Sequence, residues 1–165
     1  MYLSLVHQRG VVDVMYYLRT QVDMGHVESV LFLMPCHSTP YYSHLNRNIP
    51  MRFIPCEPPL KELGHGETNY QDETNVFFES PKEFIQLYFN NQTMSRFKPY
   101  QWTSHIVMFD SLAPQISSEL DQQGYSQTAS FFNSHFNDAH RQGRVVVYSK
   151  PVHIRKQEFE IKNEL

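Results

Sequence analysis

The apolar positions Val11, Val14, Met15, Leu18 and Val22 recur at three- and four-residue spacing, which lines one face of an α-helix and predicts such a helix over Val11–Met24. Asp13 lies near its amino end, where the helix dipole favours negative charge, and His7-Gln8-Arg9-Gly10 leads into it. From Ser29 to Met34 this periodicity gives way to an unbroken apolar run, the pattern of a strand covered on both faces. Met51-Arg52-Phe53-Ile54 reads as a second short strand and Asn75-Val76-Phe77-Phe78 as a third. Between them, the Pro-, Gly- and charge-rich stretch from Pro55 to Asp72 predicts a long surface loop. Ser80-Pro81-Lys82-Glu83 then supplies an N-cap serine, a proline at the first helical position and a glutamate placed to close a capping box. Phe84, Ile85, Leu87 and Tyr88 follow as the helix they introduce.

After a loop carrying Pro99 and Trp102, Ser104–Phe109 predicts another buried strand. Leu112, Ile116 and Leu120 predict a helix capped by Asp110 or Ser111 and stopped at Gly124. Gln127–Phe132 and Arg144–Tyr148 predict an antiparallel pair at a sheet edge, joined by the polar stretch Asn133–Gly143. The tail after Lys150 alternates charge and apolar residues and is expected to fray or to extend as a helix. Strands alternating with helices predict an α/β fold: a single three-layer domain with a mainly parallel sheet, helices on its faces and an antiparallel edge pair. The expected organisation is a remnant of a preceding membrane segment at 1–6, the domain at 7–150 and a tail at 151–165. At 165 residues, 41% of them hydrophobic and 14% aromatic, the chain can build one core, and a second domain is not expected. A net charge of -3 with Lys and Arg scattered singly offers no field for a polyphosphate backbone, so nucleic acid is not an expected partner. No apolar run is long enough to span a bilayer.

The densest chemistry lies in Leu33-Met34-Pro35-Cys36-His37-Ser38-Thr39-Pro40-Tyr41-Tyr42-Ser43-His44, directly behind the first predicted strand. Open α/β sheets bind ligands beyond the carboxyl ends of their strands, which is where this segment falls. The structural alternative is that Pro35 and Pro40 rigidify a turn while the tyrosines cover the sheet. Cys36 and Cys56 each follow an apolar run, so neighbouring strand ends could bring them together as a disulfide; two buried thiols fit the pattern equally well. With His37 and His44 they also offer the thiolates and imidazoles that zinc prefers, but the spacing matches no usual structural zinc pattern and no metal is expected. Ser38 stands beside His37, yet adjacency in sequence does not create nucleophile and base geometry, and no Gly-x-Ser-x-Gly elbow is present. Neither a dinucleotide fingerprint nor a phosphate-binding loop occurs, so no cofactor is expected. Asn91-Gln92-Thr93 is a glycosylation acceptor sequence, and Lys162-Asn163-Glu164-Leu165 differs by one residue from the Lys-Asp-Glu-Leu retrieval address of the endoplasmic reticulum. Both favour a secretory-pathway lumen.

Taken in order, His7-Gln8-Arg9-Gly10, the Leu33–His44 block and Met51-Arg52-Phe53-Ile54-Pro55-Cys56 resemble the C-terminal region of the dolichyl-phosphate-mannose-dependent mannosyltransferases of the endoplasmic reticulum, glycosyltransferase family 22. The resemblance extends over roughly residues 2 to 150 and includes Asn75–Phe78, Ser104–Phe109 and Arg144–Tyr148. It implies a module on the lumenal side of a multispanning enzyme that adds the third, α-1,2-linked mannose to a glycosylphosphatidylinositol precursor. The implied partners are the membrane-embedded part of the same enzyme, the lipid-linked glycan acceptor and dolichyl-phosphate mannose. Members of the family carry their acidic catalytic motif in a first lumenal loop that has no counterpart here, so no catalytic residue is assigned and the chain alone is expected to be inactive. His37, Tyr41 and His44 are the candidate acceptor contacts, since imidazoles and tyrosine faces suit sugars. The alternatives are a structural or interaction module of the lumen without catalysis, or a free-standing sugar-binding domain.

Overall fold

The computed structural model describes residues 7–57, 71–89, 99–136, 141 and 143–151. Along the chain run α1 (Gly10–Asp23), β1 (Val30–Leu33), α2 (Tyr42–Leu45), β2 (Met51–Phe53), α3 (Glu73–Glu79), α4 (Pro81–Tyr88), β3 (His105–Phe109), α5 (Ala113–Gln122), β4 (Ser126–Ser134) and β5 (Gly143–Ser149). The strands form one mixed sheet in the order β2-β1-β3-β5-β4. β1 pairs in parallel with β2 and with β3, in a register that sets Val30 beside both Met51 and His105. β5 pairs antiparallel with both β3 and β4.

Every residue of β1 and β3 is buried because both sheet faces are covered, and alternate side chains enter different cores. On one face Val30, Phe32, Val107, Phe109, Val145 and Val147 pack against Val14, Met15 and Leu18 of α1 and Leu45 of α2. On the other, Leu31, Leu33, Ile106, Met108 and Val146 meet Phe77 of α3, Phe84 and Ile85 of α4, and Ile116 and Leu120 of α5. These are the three layers of the α/β fold. α1 approaches β4 so closely at Gly10 that a Cβ there would meet the Phe132 carbonyl oxygen at 2.8 Å.

The antiparallel pair lies at one edge of the sheet as expected, with β4 outermost among the described residues and β5 between it and β3. Val145, Val146 and Val147 of β5 feed both cores, whereas the first residues of β4 are exposed. Asn75-Val76-Phe77-Phe78, expected as a strand, lies within α3. Asp72 caps this helix, its Oδ1 accepting from the Asn75 N–H at 2.7 Å, and Glu73, Thr74 and Phe77 form its buried face. Asp72→Ala is therefore expected to cost about 1 kcal/mol, read from urea unfolding; an unchanged midpoint would mean that the cap contributes nothing.

Ser80 occupies the N-cap of α4 and Pro81 its first turn, as the sequence predicts, although the serine side chain makes no capping bond. The residue before proline is driven out of the helical region, which separates α3 from α4. α5 starts at Ala113 with Leu112 as its N-cap, neither Asp110 nor Ser111 serving. Asp110 is engaged elsewhere: its N–H donates to the Arg144 carbonyl at 2.9 Å, and its carboxylate fills the space beside Gly143 that a Cβ would need. Gly143 also has φ +75, a conformation that glycine adopts without penalty. The expected loop lies partly outside the described residues at 58–70, as do the glycosylation acceptor Asn91 and the tail from 152 onward.

Candidate functional site

β1 delivers the chain to Pro35 at the carboxyl end of the sheet, and two hydroxyls then shape the turn: Ser38 Oγ donates to the Pro35 carbonyl at 2.5 Å and Ser43 Oγ to that of Pro40 at 2.6 Å. Cys36, just past β1, and Cys56, just past β2, are joined as a disulfide with their Cα atoms 5.9 Å apart. Arg47 ties the far end of the segment to α1, Nε and Nη2 donating to the Asp23 carboxylate at 2.5 and 2.9 Å. The Arg47 hydrogen bond holds the Asp23 carboxyl below its ordinary range.

The predicted residues go to three surroundings. His37 is exposed, with φ 60, and one of its ring nitrogens lies within 4.8 Å of the sulfurs of Cys36 and Cys56. Tyr41, with φ 41, turns its ring inward, stacked on Phe53 at 4.8 Å and edge-on to Phe32 at 5.1 Å. Burial pushes its phenol up to about 12, and the Thr39 hydroxyl opposes this. Neither hydroxyl reaches a partner at full hydrogen-bonding geometry among the described residues. His44 lies on the outer side, Nδ1 3.2 Å from Ser43 Oγ and its ring 5.8 Å from that of Tyr16. His44 does not join the Cys36, His37 and Cys56 group, and sulfurs bonded to each other are not the thiolates that zinc binds. Tyr16 beside His44, Tyr42 on α2 and Phe53 stacked on Tyr41 remain 51%, 52% and 40% exposed, an aromatic rim along α1, α2 and β2.

A second arrangement was not anticipated from the sequence. Where β1 and β2 begin, a groove of about 710 Å³ opens between Glu28, Tyr42, Arg52, Gln101 and Trp102. The Arg52 guanidinium lies 3.8 Å from the Tyr100 ring centroid, and Nη1 donates to the Pro99 carbonyl at 2.6 Å. Beneath it the buried Tyr100 hydroxyl donates to Glu73 Oε1 at 2.5 Å. Burial raises both groups, the Glu73 carboxyl against the pull of this hydrogen bond and of Arg52. Trp102 packs on Phe89 and Tyr125 at ring distances of 4.7 and 5.7 Å. It also lines a smaller pocket of about 210 Å³ with Lys82, Gln86, Ser118 and Glu119. The available signal was Gln101-Trp102-Thr103 just ahead of β3, but the partners stand far away in sequence and only the parallel register assembles them.

No helix among the described residues is long and apolar enough to cross a membrane. The chain belongs to the Alg9-like mannosyltransferase family of glycosyltransferases, whose model matches residues 1–46, a span that includes α1, β1, the Cys36–Tyr41 turn and α2. Similarity to individual proteins extends beyond that span. The chain is 44% identical over 156 residues to GPI mannosyltransferase 3 of Yarrowia lipolytica, covering 90% of this chain and 30% of the relative. It is 38% identical to GPI alpha-1,2-mannosyltransferase 3 of Bos taurus, covering 91% and 26%, and 33% identical to the protein of that name in Homo sapiens, again covering 91% and 26%. It therefore spans between a quarter and a third of the length of these relatives. No solved structure matches the chain significantly.

Proposed function

We propose that this chain is the lumenal module of an endoplasmic-reticulum mannosyltransferase that transfers the third, α-1,2-linked mannose from dolichyl-phosphate mannose to a glycosylphosphatidylinositol precursor. The observation that carries this reading is the similarity along 90% of the chain to proteins named for GPI mannosyl transfer. The catalytic centre belongs to the remainder of the enzyme, and the module positions the acceptor against it. The rim of Tyr16, His44, Tyr42 and Phe53 is the docking face for that remainder: large aromatic side chains stand exposed there, and α1, β1 and α2 lie within the span shared with the wider family. His37 and His44 face the acceptor side of the junction, where imidazoles can donate to sugar hydroxyls, while Tyr41 holds the turn in shape from within.

The test is made in the full-length enzyme with His37→Ala, Tyr41→Phe and His44→Ala, scoring transfer of the third mannose at matched protein abundance. The two histidine variants are expected to lose about tenfold in transfer, and Tyr41→Phe to retain most of it. Unchanged transfer in both histidine variants at normal abundance removes the role of this face. The isolated chain, supplied with dolichyl-phosphate mannose and the two-mannose acceptor, is expected to give no product; turnover by the chain alone would place a catalytic centre within it.

A further inference from the structure

We infer that the groove at the amino ends of β1 and β2 is a carbohydrate-binding site, in which a neutral hexose oligosaccharide lies against Trp102 and is fixed by Glu28, Arg52 and Gln101. Of the Cys36–His44 segment Tyr42 alone lines this groove, and the assignment stands whether or not His37 or His44 contacts an acceptor.

Pyranose rings present an apolar C–H face bordered by hydroxyls that both donate and accept. A site for them needs an aromatic face beside planar polar groups of both kinds. The groove has the Trp102 indole and the Tyr42 ring, a carboxylate that accepts, a guanidinium that donates and an amide that does both. Its volume of about 710 Å³ falls in the range of small-molecule sites.

Charge selects among ligands. Glu28 and Arg52 both line the large groove, and in the small pocket beside Trp102 the Lys82 ammonium lies 3.7 Å from Glu119. With one carboxylate and one cation in each, neither pocket presents the net field that a phosphate or a carboxylate ligand would need. A neutral polyol instead uses the donors and acceptors together.

The walls are fixed before any ligand arrives, which lowers the entropy lost on binding. Arg52 is held on the Tyr100 face and at the Pro99 carbonyl, and Tyr100 is anchored on Glu73. Trp102 is held by Phe89 and Tyr125, and the Tyr42 hydroxyl donates to the Ile49 carbonyl at 2.9 Å. Tyr42 belongs both to this groove and to the exposed aromatic rim, so a glycan lying here passes along the edge of the docking face.

The chain contains one tryptophan, so its fluorescence reports on the groove directly. Titration of the 165-residue chain with α-1,2-mannobiose is expected to give a saturable change with a midpoint in the millimolar range, and inorganic phosphate is expected to give none. Glu28 and Gln101 are exposed, so the double variant Glu28→Ala/Gln101→Ala keeps the fold and is expected to bind at least about tenfold more weakly. Saturation-transfer NMR with Trp102→Phe, which keeps an aromatic face, is expected to show weaker but detectable contact. Absence of a saturable change in the parent chain, an equal response to phosphate, or an unaltered midpoint in the double variant overturns the assignment. Mannobiose binding by a chain whose full-length enzyme transfers no third mannose would refute the proposed function and leave this site in place.

Discussion

Replacing Cys36 and Cys56 together by alanine is expected to lower the free energy of unfolding by about 3 kcal/mol. The two residues are separated by 20 positions, and closing a loop of that length removes chain entropy from the unfolded state worth about that much at room temperature. The loss should be concentrated rather than general. β2 is a three-residue strand whose only strand partner among the described residues is β1, and the bridge joins the chain just beyond the ends of both. Once it is gone, β2 amides should lose hydrogen-exchange protection before those of β3, and Tyr41 should lose its stacking on Phe53. Such a bridge persists in an oxidising lumen, the compartment that the proposed function requires. Urea unfolding of the parent chain with and without reductant checks the argument, since reduction should reproduce the variant's midpoint and leave the variant itself unaffected. Intact mass after alkylation without reductant checks the bond. Two alkylated cysteines, or a midpoint indifferent to reductant, would show that the span is held by packing alone.

How much of this was readable beforehand depends on whether the deciding contacts were local. The helix over Val11–Met24 and the strands at Val30–Leu33 and His105–Phe109 follow from apolar spacing that both faces of the sheet reinforce. The misread segment, Asn75–Phe78, contains an adjacent Phe77-Phe78 pair that suits a buried strand, and what decides against it is the Asp72 cap before it and the Ser80-Pro81 break behind it. His37, Tyr41 and His44 look like one constellation because they share a short segment. Positive φ at His37 and at Tyr41 instead aims the rings at different neighbours, a backbone property that residue types alone do not announce. The Trp102 groove shows the opposite problem: Glu28, Arg52 and Gln101 have no sequence relation, and they meet because Val30 stands in register with both Met51 and His105.

Acid is expected to destabilise the protein through His105, at the start of the central strand β3. This residue is 4% exposed, its Nδ1 lies 3.1 Å from Ser104 Oγ, and burial, aided by the charge of His26, holds its pKa down to about 4. In the unfolded chain the imidazole titrates near its ordinary 6.5. The fold thus favours the neutral ring, and its contribution is fully present above pH 6.5. As the pH falls from 6.5 towards 4 the unfolded state takes up a proton that the folded state refuses, and stability declines with it. The gap, at about 1.36 kcal/mol per pH unit, amounts to about 3 kcal/mol. Glu73 acts in the other direction, because burial raises its carboxyl and a protonated Glu73 suits the folded state, so part of the loss is offset near its titration. Urea midpoints measured between pH 7 and pH 4 should therefore fall steeply in the parent chain, more gently in His105→Gln, and most steeply in Glu73→Gln. The same slope in His105→Gln as in the parent would assign the acid sensitivity to other groups, and a shallower slope in Glu73→Gln would reverse the sign given to that carboxyl.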